Sequence, residues 1–387
     1  MALNAAPLFQ PAPVAHTAPL AIQRVDAIPI ALPLKKPVVM AGERIERSQS
    51  LLVRIEAANG LVGWGEASAA PLMTGDTLPG MVAAVTNHLA PLMQGQNALD
   101  RAGLAARCAA ALLHNTGAKC ALDMAINDLV GRHLGVSLCD LFGGAQRDEA
   151  EAMYLLGNSS VEDDIAEAAG KLKEGWNFFK LKIGIKAPAE EGDAALAVRR
   201  HLGDDVALCA DANMGMRYAD AVRFAERARA ANLLFMEQPL HAEDLDGMAA
   251  LARESRIPQC ADESISGISS IVALHRSGAI HGANIKTIKL GGIGITVQAM
   301  SVCAALGLNI NLACKVAESS LGASAIVQLG CLAPNLNWGL SITNHYLAED
   351  LTATPVRIER GRVARPRGPG LGVDVNEDQV RRFRVGS

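Results

Sequence analysis

The chain has 387 residues, half of them hydrophobic and a fifth charged, a profile typical of a soluble globular enzyme with room for a large and a smaller domain. The formal net charge of −4, the absence of a basic block and the few aromatic residues argue against nucleic acid as a partner. No apolar run is long enough to cross a bilayer, so no membrane association is predicted. The eight cysteines form no C-x-x-C pair and lie mostly in apolar segments, which favours buried thiols in a cytoplasmic protein.

The N-terminal third combines a leader with mixed strand and helix patterns. Residues 1–20 are rich in Ala and Pro but have no basic start or clear apolar core, so they predict a disordered leader rather than a secretory signal. Residues 21–146 are predicted to form a small α+β capping domain. Its strand-rich part is split by Asn59-Gly60, a hairpin signal, and its clearest helical periodicity covers Ala118–Leu134.

From residue 147 to residue 351 short apolar strands alternate with Ala-rich amphipathic helices, the pattern of a (β/α)₈ barrel. The predicted strands are Met153–Gly157, Phe178–Gly184, Val206–Asn213, Leu233–Leu240, Pro258–Ser264, Ala283–Leu290, Leu308–Cys314 and Asn335–Ser341. Residues 352–387 contain Pro- and Gly-rich turns, and we expect this segment to pack back on the first domain.

Carboxylates stand at the ends of three consecutive predicted strands: Asp211, Glu237 and Asp262. Neighbouring strands lie about 5 Å apart, so the three side chains can converge at the carboxyl end of the barrel, where active sites lie. Any one of them could instead cap a helix. Three converging anions need a cation, and all-oxygen ligation suits Mg²⁺ first and Mn²⁺ second.

Lysines flank this predicted metal site. Lys180 and Lys182 share one face of the second strand, and Lys286, on the sixth strand, lies across the barrel from them. The metal and Lys180 are expected to lower the pKa of Lys182, as a base near neutrality requires. Lys289 is the rival of Lys286. Its opposite strand parity predicts that it does not face the pore and could be solvated.

In their order along the chain these motifs resemble the enolase superfamily, muconate-lactonizing-enzyme subgroup, the mandelate racemase/muconate lactonizing enzyme family. The resemblance runs from about Ala21 to the Gly-rich turn at residues 368–372. It is carried by Lys180-Leu181-Lys182, Asp211-Ala212-Asn213, Glu237-Gln238-Pro239, Asp262-Glu263-Ser264 and Lys286.

The resemblance implies an α/β fold, a modified TIM (β/α)₇β barrel with an α+β capping domain. It implies Mg²⁺ held by the three carboxylates and an acid/base pair of Lys182 and Lys286, with Lys180 tuning Lys182. Asn213 and Glu263 are implied as supporting groups around the metal. It also implies a small carboxylate substrate and a homo-oligomer, a dimer or an octamer.

Substrate choice in this family comes from loops of the capping domain, here predicted to be Leu34–Arg47 and Ser68–Leu78. The last barrel strand departs from muconate cycloisomerases, which place a glutamate where this chain has Ser341, and from dipeptide epimerases, which have an Asp-x-Asp there. Asn344 and His345, just after that strand, are candidates for substrate contact or simply for a loop.

The predicted function is a Mg²⁺-dependent isomerase that removes the α-proton of a small carboxylate to give a metal-stabilised enediolate, as a racemase, an epimerase or a muconate-type cycloisomerase. A dehydratase of the same subgroup, acting by syn-elimination on a hydroxyproline-type acid, is the first alternative. A metal-independent Schiff-base lyase and a non-catalytic ligand-binding barrel are alternatives of other classes.

Overall fold

The computed structural model describes residues 20–40, 43–157 and 160–386. The predicted leader therefore lies outside the described residues except for Leu20, which is buried. The described chain forms an antiparallel three-stranded sheet with its helices, followed by an eight-stranded parallel sheet wrapped by helices. In these residues no helix combines the length and the apolar character that crossing a membrane requires.

The first part of the chain is the predicted α+β capping domain. Its strands pair in the order β1-β2-β3, and Gly60, at a positive φ of 83°, turns the hairpin between β2 and β3 as predicted. The strands are β1 (Ile22–Met40), β2 (Glu43–Ala57) and β3 (Val62–Ser68). The helices are α1 (Leu78–Ala84), α2 (Ala90–Met93), α3 (Arg101–Ala111), α4 (Thr116–Leu134) and α5 (Leu138–Leu141), with a π-helical turn at Val85–Leu89.

The predicted loop over Leu34–Arg47 is wrong, because β1 and β2 continue as a long hairpin through its described residues. The pairing passes from Pro33↔Arg47 to Val38↔Ile45, so the first strand has extra residues that bulge out of the ladder. The extra residues include Lys35, Lys36 and Pro37, and proline is tolerated at bulges. Residues 69–77 do form the second predicted loop.

Helix α4 is seated directly on β3 because two glycines let the backbones approach. A Cβ on Gly65 would lie 2.0 Å from the carbonyl oxygen of Ala121, and Gly63 meets the next turn of the helix in the same way. Asp128 completes this contact. Its buried carboxylate accepts from the backbone N–H of Trp64 at 2.9 Å and from that of Leu371 at 2.7 Å.

The remaining chain builds a (β/α)₇β barrel, and all eight predicted strands are present in shorter form. A separate two-stranded sheet joins β4 (Glu149–Glu151) to β13 (Arg362–Ala364). The barrel strands are β5 (Tyr154–Leu156), β6 (Phe178–Lys182), β7 (Ala207–Asp211), β8 (Met236–Glu237), β9 (Gln259–Ala261), β10 (Gly282–Ile285), β11 (Asn309–Ala313) and β12 (Leu340–Ser341). The helices are α6 (Val161–Lys173), α7 (Pro188–Leu202), α8 (Tyr218–Arg227), α9 (Leu245–Glu254), α10 (Ile268–Arg276), α11 (Thr287–Leu290), α12 (Ile293–Ala305), α13 (Ser320–Leu332) and α14 (Glu377–Phe383), with 3₁₀ turns at Arg229–Ala231 and Asn344–Tyr346.

The barrel closes between its first and last strands, where the N–H of Met153 donates to the carbonyl of Leu340 at 2.7 Å. Its lower interior is a separate apolar cluster in which the rings of Phe235 and Trp338 stack 4.4 Å apart. The cluster consists of Met153, Phe178, Cys209, Phe235, Cys260 and Trp338. Since Phe178 lies two residues before Lys180 on one strand, the lysine points into the barrel just above this apolar floor.

The C-terminal segment returns to the first sheet. Helix α14 packs on β1, and Val385 N–H donates to the Pro29 carbonyl at 3.0 Å. A second link joins the sheet to the barrel. The buried Glu66 of β3 accepts from Ser319 N–H at 3.0 Å and from Gly322 N–H at 3.2 Å, at the start of α13.

Two Gly→Ala substitutions, one in the contact between β3 and α4 and one outside it, should have opposite effects on the stability of the protein. Gly65→Ala drives a methyl group into backbone and should destabilise the protein by about 1–3 kcal/mol or more. Gly170→Ala, on the exposed face of α6 with no atom within 4 Å of the new Cβ, should stabilise it by about 0.5–1 kcal/mol. Thermal melting of the two variants and the wild type measures this. Equal melting temperatures for the two variants would contradict the close approach.

Candidate active site

The three predicted metal-binding carboxylates lie side by side at the carboxyl end of the barrel. Asp211 ends β7, Glu237 ends β8 and Asp262 directly follows β9. The strand register pairs Asp211 with Glu237, and Glu237 with Cys260. All three carboxylates are buried, with relative exposures of 4%, 1% and 0%. The alternation of side chains along a strand directs them inward, above the apolar floor.

Each carboxylate is paired with a lysine. Lys182 Nζ lies 2.6 Å from Asp211 Oδ2 and also contacts Asn213 Oδ1. Lys180 Nζ lies 2.5 Å from Glu237 Oε2 and 4.0 Å from Asp211 Oδ2. Leaving a buried carboxylate without a partner would cost several kcal/mol, so these pairs keep the interior of the barrel mouth neutralised.

Asp262, beside Glu237 on the next strand, contacts two lysines. Lys286 Nζ lies 2.5 Å from Asp262 Oδ2, and Lys289 Nζ contacts Asp262 Oδ1. The predicted strand over Ala283–Leu290 ends at Ile285, and the chain turns into α11. The prediction that Lys289 lies outside the pore and is solvated is therefore wrong. Helical rather than strand geometry brings both lysines to one carboxylate, and Lys289 is 4% exposed.

The lysine pairing sets the direction of the pKa shifts. Burial opposes the charged form of Lys286, but the charges of Asp262 and Glu237 outweigh it and raise the pKa of Lys286. Burial likewise opposes ionisation of Asp262, yet its lysine partners hold the pKa of Asp262 well below its usual value. With its neighbours arranged in this way, Lys286 does not have the lowered pKa that a base near neutrality requires. The pKa of Lys180 is also raised, by Glu237 and Asp211 against burial.

The donor set fits a hard divalent cation. Among residues 20–40, 43–157 and 160–386, no three His, Cys, Asp or Glu side chains are gathered closely enough to enclose a metal, and the three carboxylates contact lysines instead. Burial raises the pKa of Glu237, and repulsion by the negative charges of Asp211 and Asp262 raises it further. Glu263 Oε2 is buried without a partner in the described structure. These oxygens are the donors that Mg²⁺ and Mn²⁺ prefer.

Asn213 and Glu263, the predicted supporting groups, contact each other. Asn213 Nδ2 donates to Glu263 Oε1 at 3.0 Å, and Asn213 N–H donates to Asp211 Oδ1 at 3.0 Å. Asn213 has a positive φ of 40°, and Gln238, one residue after Glu237, has a φ of 34°. Non-glycine residues in this left-handed region cluster at functional sites, where the surrounding structure holds them.

Two amides at the site were not singled out in the sequence. Gln238 Oε1 accepts from Asp262 N–H at 2.9 Å, and its Nε2 donates to Ser264 Oγ at 2.7 Å, so it joins the ends of β8 and β9. Asn284 Nδ2 donates to Glu237 Oε1 at 2.6 Å. Gln238 lies within Glu237-Gln238-Pro239, a position that could have indicated its role. No feature of the sequence indicated that Asn284 is buried beside Glu237.

Another carboxyl pair, Glu66 and Glu318, lies between the capping sheet and the loop after β11. Both residues are buried. Burial, and then the charge of Glu66, raise the pKa of Glu318 to about 8. Sequence reasoning missed this pair, since its partners are more than 250 residues apart and belong to different parts of the fold.

An open cleft leads from the barrel mouth to the β1–β2 hairpin. Lys182, Asn213, Lys35 and His345 are among the residues that line it. Both ring nitrogens of His345 are buried without a hydrogen-bond partner among the described residues, and burial lowers the pKa of His345 to about 4. Asn344, the other candidate contact, donates to the carbonyl of Val356 at 2.7 Å and so fixes the backbone.

Comparison with known proteins indicates related families for the N-terminal and the C-terminal part of the chain. A model of the mandelate racemase / muconate lactonizing enzyme N-terminal domain matches residues 24–143, and an enolase C-terminal domain-like model matches residues 163–379. The chain is 28% identical over 366 residues to chloromuconate cycloisomerase of Pseudomonas putida, which covers 94% of this chain and 98% of that protein. Muconate cycloisomerase 1 of Rhodococcus opacus gives the same identity and coverage.

Solved structures agree with the sequence comparison. Muconate lactonizing enzyme from Pseudomonas fluorescens, complexed with muconolactone, superposes with a TM-score of 0.91 at 27% identity, covering 95% of this chain and 100% of that chain. N-succinyl Arg/Lys racemase from Bacillus cereus superposes with a TM-score of 0.90 at 25% identity, covering 95% and 99%. Proteins with two different isomerase activities therefore share this fold with the chain.

The buried Glu318 predicts a pH-dependent stability. In the folded protein Glu318 keeps its proton up to about pH 8, whereas the unfolded chain releases it near pH 4.5. The stability that its neutral form contributes is complete below pH 4.5 and is lost as the pH rises to about 8. Glu318→Gln cannot ionise, so its melting temperature should exceed that of the wild type by about 2 °C or more at pH 9 and by less at pH 5. A difference that does not change with pH would contradict this.

Proposed function

The chain belongs to the mandelate racemase / muconate lactonizing enzyme family of the enolase superfamily and is an isomerase of that superfamily, and on this premise we propose that it abstracts the α-proton of a small carboxylate in a Mg²⁺-dependent reaction. Lys182 and Lys286 act as the acid/base pair. Asp211, Glu237 and Asp262 hold the divalent ion, with Mn²⁺ as a possible substitute.

The observation that carries the proposal is the position of the two lysines on opposite sides of the barrel mouth. Lys182 ends β6 and Lys286 directly follows β10, four strands further around an eight-stranded barrel. Lys182 pairs with Asp211, and Lys286 pairs with Asp262. A substrate held between them has a lysine Nζ on each face, a neutral amine where it takes the proton and an ammonium group where it returns one. Proton removal on one face and proton return on the other is what racemisation and epimerisation need.

The carboxylates and the remaining lysine have distinct tasks in this proposal. Enzymes of this family are generally dependent on a divalent metal. When bound, such an ion supplies positive charge that stabilises negative charge developing on the substrate carboxylate. Lys180 is buried and paired with Glu237, and in this proposal it acts through the field it exerts on Lys182.

Racemisation or epimerisation ranks ahead of cycloisomerisation. At the end of the last barrel strand the inward position holds Ser341, whose Oγ lies 3.6 Å from Met153 Sδ, so this position offers no carboxyl group as a proton donor. Cycloisomerisation remains the second candidate. It is supported by the 28% identity to proteins that bear this activity in their names.

Deuterium exchange tests the chemistry directly. The Mg²⁺-loaded enzyme is incubated in D₂O with N-acyl amino acids, proline derivatives, muconates and hydroxy acids, and the α-proton is followed by NMR. We expect exchange with one of these classes. A chelator should abolish it, and Lys182→Ala and Lys286→Ala should each lower its overall rate by about 10²–10⁴-fold, the usual contribution of a general acid or base.

The matched control is Lys173→Ala, on the exposed end of α6, which should exchange at the wild-type rate. With separate enantiomers, each lysine variant should lose exchange of one enantiomer much more than that of the other, because each lysine serves one face. Exchange that survives chelation would contradict the metal role. Equal losses for both enantiomers in both variants would contradict the two-face arrangement.

A further inference from the structure

Lys289 is a buried ammonium that the proposed proton transfer does not use. Its Nζ lies 2.5 Å from the Asp262 carbonyl oxygen and 2.9 Å from the Asn284 carbonyl oxygen, and it contacts Asp262 Oδ1. A lysine has three N–H donors, so these three acceptors use all of them. The side chain is 3% exposed. Lys289 therefore has no donor left for a substrate.

The two carboxylate oxygens of Asp262 have different partners. Oδ1 contacts Lys289, and Oδ2 accepts from Lys286 at 2.5 Å. Among the described residues, Lys286 Nζ makes this one hydrogen bond. Breaking one contact frees Lys286, whereas Lys289 would have to break three. The geometry separates a fixed lysine from a releasable one.

The backbone around Lys289 is held from the capping side. Helix α11 packs against α4. On α4, Asp123 Oδ2 accepts from the N–H of Ile293 at 2.6 Å and from that of Gly294 at 3.2 Å, at the start of α12. The lysine is therefore anchored at both its ammonium group and its main chain.

We propose that Lys289 is a positioning residue that fixes the Asp262 carboxylate through Oδ1, so that Oδ2 remains the donor for the divalent ion while Lys286 is free to move protons. This inference rests on the proposed function. Groups that orient a metal ligand in this way typically change metal affinity by about 10–100-fold when they are removed. Lys286 and Lys289 thus have different tasks, although strand parity in the sequence made them alternatives for a single role.

Mn²⁺ binding without substrate tests this division of tasks. The dissociation constant is measured by calorimetry or electron paramagnetic resonance for the wild type, Lys289→Met, Lys286→Met and the surface control Lys173→Met. We expect Lys289→Met to bind Mn²⁺ about 10–100-fold more weakly. Lys286→Met and the control should bind no more weakly than the wild type, although Lys286→Met loses proton exchange. Melting in the presence of a chelator checks that each variant is folded.

The outcomes separate this inference from the proposed function. If Lys289→Met binds Mn²⁺ as tightly as the wild type, or more tightly, the contacts of Lys289 do not strengthen metal binding. The inference then fails, while the proposed function stands. If the wild type binds no Mn²⁺ or Mg²⁺, the proposed function fails with it. Should Lys289→Met not fold, Lys289→Ala, which also removes the donor to Asp262, takes its place. Weaker Mn²⁺ binding by a folded Lys289→Ala supports the inference, and wild-type binding overturns it.

Discussion

Three buried carboxylates and four lysines meet where the barrel strands end, and their mutual neutralisation constrains the residues around them. An isolated ion in such a place would cost several kcal/mol, so each carboxylate has at least one lysine partner. Lys180, whose partner is Glu237, and Lys289, on Asp262, are fully enclosed. Lys182, which pairs with Asp211, is the most exposed of the four lysines, and Lys286 has a single contact with Asp262. Within this balanced set of charges, Lys182 and Lys286 lie on opposite sides of the barrel mouth, where we propose that they meet a substrate.

The scaffold positions these charges from below and from above. Below them, the stacked rings of Phe235 and Trp338 belong to the buried apolar floor of the barrel. Above them, the capping domain reaches the barrel through buried carboxylates that accept backbone N–H groups, Glu66 at α13 and Asp123 at α12. Helix N-termini favour such negative charges. Helix α4 therefore links the capping sheet to the segment that carries Lys286 and Lys289.

Sequence periodicity predicted the architecture because a buried parallel strand is a short apolar run and each strand end carries a distinctive polar triplet, such as Asp211-Ala212-Asn213. It failed where local pattern and tertiary structure disagree. Leu34–Arg47 contains turn-forming residues but is a bulged hairpin, since a bulge accommodates proline. Lys289 was assigned by strand parity, yet the strand ends at Ile285. Contacts such as Glu66 with Ser319 depend on long-range packing, which leaves no local signal.

The central claim, that the three carboxylates hold a divalent ion between two facing lysines, is tested most directly by anomalous diffraction from crystals grown with Mn²⁺. The account predicts one Mn²⁺ per chain with oxygens of Asp211, Glu237 and Asp262 in its coordination shell, and with Lys182 and Lys286 on opposite sides of the remaining open coordination positions. A Mn²⁺ ion bound elsewhere, or carboxylates still paired with their lysines at saturating Mn²⁺, would contradict it.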